Sequence, residues 1–128
     1  SLRPHRGDWR FAQAPLRAQE HLYPIRSRHI HPRAGADASP QRSFLAVTPE
    51  TVAISAWFWN DAGYHVRLYE SAGQPGQVEI RLPFVARVCQ PVDLNGRPSD
   101  APRIALRQDT ARFDIRAWEI ITLQFSAQ

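Results

Sequence analysis

Val52-Ala53-Ile54-Ser55-Ala56-Trp57-Phe58-Trp59 is the stretch that decides the fold, followed by Asp61-Ala62-Gly63 and then Tyr64-His65-Val66-Arg67-Leu68. Val52, Ile54, Ala56 and Phe58 recur at period two, as do Val66 and Leu68, the pattern of strands with one buried face. Core-facing residues of paired strands must stand opposite one another, because a slip of one residue turns every side chain to the wrong face. Pairing Phe58 with Val66 and Ala56 with Leu68 meets that demand. It leaves Asp61-Ala62-Gly63 as a three-residue loop, with Gly63 in the left-handed position that closes such loops. In this register Trp57 lies across from Arg67, with Trp59 and Tyr69 on the same face. An aromatic and arginine patch is therefore expected on the side away from the core, with Arg67 stacked on Trp57.

The alternation continues in both directions. Phe44-Leu45-Ala46-Val47 precedes it; Val78, Ile80 and Leu82, then Phe84, Ala86 and Val88, follow it. Beyond a turn at Asn95-Gly96 come Ile104 and Leu106, then Phe113 and Ile115, then Ile121, Leu123 and Phe125. Short alternating runs separated by Gly, Pro, Asn and Asp predict an all-β fold, an antiparallel β-sandwich over residues 43–128. Residues 1–42 read differently: Pro4, Pro15, Pro24, Pro32 and Pro40 forbid a long helix. An extended N-terminal segment with one short helical turn after Pro15 is expected there, joined through the connector Ala34-Gly35-Ala36-Asp37-Ala38-Ser39-Pro40. At 128 residues the chain has room for one core, not two.

All 16 basic residues are arginine. Eight fall in residues 1–42 against Asp8, Glu20 and Asp37, a net charge of +5, whereas residues 43–128 carry −1. Nucleic-acid binders concentrate charge on a docking element of the fold. Here the charge sits on the proline-broken segment without a helix-turn-helix, zinc-finger or RNP pattern, so nucleic acid is not expected as a partner. The longest apolar stretch, residues 51–59, is too short to span a bilayer as a helix, and no membrane role is expected. One cysteine, Cys89, excludes an internal disulfide framework. No charged-then-apolar leader opens the sequence, which leads to the expectation of a cytoplasmic protein.

His5, His21, His29 and His31 crowd the first 31 residues, yet no cysteine or glutamate stands at ligand spacing among them. Surface histidines are the favoured reading, and no metal site or cofactor is expected in this chain. Glu70, Glu79, Asp93, Asp114 and Glu119 could supply paired carboxylates, but each alternates with apolar residues and none stands out as acid or base. Cys89 lies in an apolar-flanked strand and is expected to be a buried, inert thiol. No catalytic residue is assigned. Trp57, Trp59 and Tyr69 with Arg67 form the candidate binding face, either a platform for the apolar face of a sugar or a covered interface. Interface is favoured, because soluble proteins leave few large apolar faces open. Residues 1–33, which contain Trp9, Phe11, Leu16, Leu22, Tyr23 and Ile25, are expected to shield part of it. Arginine-driven polyanion binding is a weaker third reading.

Particular strings carry a resemblance. Pro4-His5-Arg6-Gly7-Asp8-Trp9-Arg10, Ser43-Phe44-Leu45-Ala46-Val47 and Val52-Ala53-Ile54-Ser55-Ala56 resemble the C-terminal region of glycoside hydrolase family 38, the α-mannosidases. Arg67-Leu68-Tyr69-Glu70-Ser71-Ala72-Gly73 looks like that family's RLYE-x-x-G strand and turn. Asp93-Leu94 ahead of Pro98, and Trp118-Glu119-Ile120-Ile121-Thr122-Leu123 with its EI-x-TL pattern, complete the series in order. The resemblance implies a part of an enzyme: the last β-sandwich of a chain whose separate catalytic domain holds a zinc ion and an aspartate nucleophile. That parent would be a retaining α-mannosidase of carbohydrate metabolism, and its catalytic and central domains would be this chain's partners. His5, Gly7, Asp8 and Trp9 look like the tail of a preceding sandwich. Glu70 and Glu119 would be structural, with Glu70 accepting hydrogen bonds from the Ser71–Gly76 turn. Trp57-Phe58-Trp59 stands where relatives commonly carry a lysine-rich continuation.

Overall fold

Two four-stranded antiparallel sheets, in the orders β1-β4-β7-β6 and β2-β3-β8-β5, make up the second of the chain's two compact units, Ser43–Gln128. The strands are β1 Ala46–Thr48, β2 Val52–Asn60, β3 Gly63–Glu70, β4 Gly76–Arg81, β5 Ala86–Val92, β6 Ala105–Arg107, β7 Thr110–Ile115 and β8 Ile120–Ala127. This computed structural model describes residues 4–29, 43–100 and 102–127. His31 and the connector residues 34–40 lie outside the described residues.

The alternating apolar residues of both sheets meet in one core. Val78, Ile80, Ala111, Phe113 and Ile115 come from one sheet, and Val66, Leu68, Ile121, Leu123 and Phe125 from the other. Val66, Leu68, Ile80, Leu123 and Phe125 are fully buried, and each large side chain removed from water in this way contributes roughly 1.5–3 kcal/mol. The antiparallel sandwich read from the sequence is the fold observed.

The β2–β3 register differs from the expected one. Val52 pairs with Glu70 and Ile54 with Leu68, but a bulge at Ser55 then shifts the ladder, so that Ala56 faces Arg67, Trp57 faces Val66 and Phe58 faces His65. The loop is Asp61-Ala62, two residues, with Asn60 paired to Gly63. Strict alternation therefore ends at Ile54, because a bulge inserts one residue and reverses the parity of everything after it. Two local contacts sustain this arrangement. The Ser55 hydroxyl donates to the Arg67 carbonyl (3.3 Å), and the Ala62 N–H donates to the Asn60 side chain (3.0 Å) at the turn. Gly63 has φ +122°, and a Cβ there would collide with the Phe125 carbonyl oxygen, so glycine is needed at that position.

In the first unit, Ser1–Arg42, the expected single turn after Pro15 is a nine-residue helix, α1 Ala14–Leu22. Pro15 sits in its first turn, where a missing N–H is harmless. Arg17 pairs with Glu20 one turn on, at 2.7 Å. The helix stops one residue short of Tyr23, which Pro24 holds out of the helical region (φ −122°).

Candidate functional site

The four residues of the expected aromatic face do not share a face. Beyond the bulge, Trp57 and Trp59 stand on the side of Val66 and Tyr64, whereas Arg67 and Tyr69 stand on the opposite side with Ala56, Phe58 and His65. Arg67 does not stack on Trp57; its Nε donates to the Thr122 hydroxyl of β8 at 3.1 Å. Phe58 lies flat on His65, ring centroids 4.9 Å apart and planes 4° from parallel. Trp57 is 40% exposed and Trp59 65% exposed. They extend the core side of an edge strand past the point where β1, three residues long, can cover it. Next to them Tyr64 packs on Phe84 with centroids 4.7 Å apart.

The opposite end of the sandwich is organised around Glu70. Its carboxylate is buried and accepts from the N–H groups of Ala72 (2.8 Å), Gly73 (2.6 Å) and Trp118 (3.1 Å). Burial alone would push this carboxyl up. The backbone N–H groups of Trp118, Ala72, Gly73 and Gln74 outweigh burial and hold it below the ordinary glutamate value. One side chain thus fastens the turn after β3 to the turn before β8. Trp118, in that second turn, has φ +62°, an unfavourable conformation for a bulky residue. Its indole lies over Gly73, where an added Cβ would come within 2.6 Å of the ring. Glu119 closes the same turn: it accepts from the Arg116 N–H (2.7 Å) and from the Arg116 guanidinium through Nε (3.0 Å) and Nη2 (2.7 Å). These contacts to Arg116 hold the Glu119 carboxyl below its ordinary value.

A general acid working near neutrality needs a carboxyl whose pKa is raised. Glu70 and Glu119 are shifted the other way and are occupied by their own turns, so the arrangement suits fastening rather than proton transfer. A cleft of about 560 Å³ bounded by Gln77, Asp114, Arg116 and Glu119 lies beside this cluster. The tie from Glu70 to Trp118 spans 48 positions and has no counterpart in the local sequence pattern.

The remaining candidates are local. Asp8 accepts from the N–H groups of Arg10 (3.0 Å) and Phe11 (3.1 Å), and these bonds, led by that from Phe11, lower its carboxyl. Gly7 (φ +78°) opens that turn, and Arg10 lies over the Trp9 ring at 4.5 Å. His5 is exposed. Burial pushes the Cys89 thiol up to about 12, which keeps it in the unreactive protonated form. Among the described residues no three of His, Cys, Asp and Glu come together as a metal would require, so zinc does not fit these residues. No described helix is long and apolar enough to cross a membrane.

No curated protein and no solved structure matches the chain. Residues 47–123, running from β1 into β8 and taking in both the Glu70 fastening and the aromatic hairpin, match the family described as the glycosyl hydrolases family 38 C-terminal beta sandwich domain. The chain belongs to that family.

Proposed function

We propose that this is the non-catalytic C-terminal sandwich of an α-mannosidase-like enzyme, and that it supports that enzyme by packing against its central and catalytic domains. The observation that carries the reading is the family match over residues 47–123. Two features of the domain support it. Glu70 and Glu119 are bound into turns that stabilise the domain itself. Trp57, Phe58 and Trp59 offer exposed apolar surface on both sides of an edge strand, composition suited to an interface. In this reading the zinc and the nucleophile that act on α-mannosides belong to the parent's catalytic domain, and the parent acts in the cytoplasm.

Two assays on the isolated chain test it. An aryl α-mannoside, with and without added zinc, should show no turnover. Turnover that survives repurification and disappears in Glu119→Gln or Asp8→Asn would overturn the non-catalytic assignment. Titration with mannose or mannobiose should leave tryptophan fluorescence unchanged. Saturable quenching lost in Trp57→Ala or Trp59→Ala would instead make the hairpin the sugar platform of a carbohydrate-binding module.

A further inference from the structure

The outer face of the β4-β7-β6 sheet holds a second constellation, independent of the family reading. Arg81 of β4 and Arg107 of β6 both pair with Thr110 of β7, so the three form one row across the sheet. Ile80 and Ala111, the neighbours on the other face, are fully buried, which directs this row outward. With strands roughly 4.8 Å apart, the two arginine backbones flank Thr110 about 10 Å from one another, close enough for both guanidinium groups to reach one ligand. In the next row Arg112 is already neutralised by Glu79 at 2.7 Å. Arg81 and Arg107 are exposed, and their side chains have no hydrogen-bond or ion-pair partner among the described residues. Glu79, Arg81, Arg107, Thr110 and Arg112 line one cavity of about 430 Å³.

The floor of that cavity has the opposite character. The Thr110 hydroxyl donates to the Asp109 carboxylate at 2.9 Å, so it presents lone pairs rather than a proton, and Asp109 has further acceptor capacity. The β6–β7 hairpin that carries them is fixed. Gln108 holds φ +51°, while the Gln108 and Asp109 carbonyls accept from the N–H groups of Ala86 (2.9 Å) and Leu82 (2.8 Å). The pocket thus combines two guanidinium donors without side-chain partners and a floor of acceptors held on a fixed hairpin. A bare anion satisfies the donors and is repelled by the floor. A neutral polyol satisfies the floor and leaves the guanidinium groups unpaired.

We propose that this pocket binds a sugar bearing a phosphate or sulfate ester, the oxyanion held between Arg81 and Arg107 and a sugar hydroxyl donating to Asp109 or Thr110. Guanidinium forks match such oxyanions bidentately. The test is calorimetric titration of the full chain with glucose 6-phosphate, glucose 6-sulfate, inorganic phosphate and glucose at matched ionic strength. At least one ester should bind tenfold or more tightly than either inorganic phosphate or glucose, and the stronger of the two identifies the ester. Arg81→Gln and Arg107→Gln should each weaken that binding at least tenfold. Arg87→Gln, an exposed arginine on the other sheet, should leave it unchanged, with circular dichroism verifying each fold. Esters that bind no better than inorganic phosphate or glucose would overturn the proposal. So would ester binding that persists in both folded variants.

Discussion

The two ends of the sandwich treat their side chains in opposite ways. At the end where β3 finishes and β8 begins, polar groups are turned onto the domain's own backbone: Glu70 holds Ala72, Gly73 and Trp118, and Glu119 holds Arg116. Asp93 does the same in the adjacent loop, accepting from the N–H groups of Asn95 (2.8 Å) and Arg97 (2.9 Å). At the hairpin end, Trp57, Phe58 and Trp59 stay substantially exposed on an edge strand that carries no charge over its nine residues. An uncharged apolar edge is something soluble domains usually cover or blunt. The first end is bound into the domain's own turns, whereas the second leaves apolar surface exposed, as the proposed docking role requires.

The largest effect should come from removing the fastening. Glu70→Ala leaves the buried N–H of Ala72 and the part-buried N–H groups of Gly73 and Trp118, in two separate turns, without their acceptor, and should cost about 3 kcal/mol in urea denaturation. A loss under 1 kcal/mol would mean that the turns do not depend on the carboxylate. Gly73→Ala comes next, at about 2 kcal/mol. It combines a left-handed backbone (φ +71°) with a Cβ that must displace the Trp118 indole. Near-UV circular dichroism should report the disturbed tryptophan.

Acid should expose the same end. The folded carboxyls of Glu70 and Glu119 lie below the ordinary value of 4.5, so their contribution is fully present above that pH and is lost as pH falls through it toward the lower folded values. Stability should therefore decline below about pH 4.5, and the decline should be shallower in Glu70→Gln. Equal acid sensitivity in the variant would remove Glu70 from the account. At the hairpin end the stability effect should be smallest: Trp59→Ser, at a position 65% exposed, should change the free energy of unfolding by less than about 0.5 kcal/mol.

How much of this could be read from sequence follows the same division. The sandwich was legible because its central strands, β3, β4, β7 and β8, alternate without interruption. The contact from Glu70 to its own turn was legible because Ala72 and Gly73 are two and three residues away. The tie to Trp118 was not, since it joins strands that only the fold makes neighbours. The aromatic face failed for a different reason. Ser55 looks like any polar strand residue, and nothing in its composition marks a bulge, yet that one inserted residue moved Trp57 and Trp59 away from Arg67 and Tyr69. The Arg81–Thr110–Arg107 row was hidden in the same way, because it needs the pairing of three strands.

The docking role proposed for the hairpin end stands against that of the Glu70 end, which is turned to the domain's own stability. Its most direct test compares Trp57→Ser/Trp59→Ser in the isolated chain and in the full-length enzyme that carries this domain, by thermal unfolding. The isolated chain should stay folded with a modest loss of stability, and the unfolding temperature of the full-length enzyme should fall by clearly more than that loss explains. A full-length enzyme that loses no more than the isolated chain, with sugar binding to the chain abolished by the same two substitutions, would contradict it.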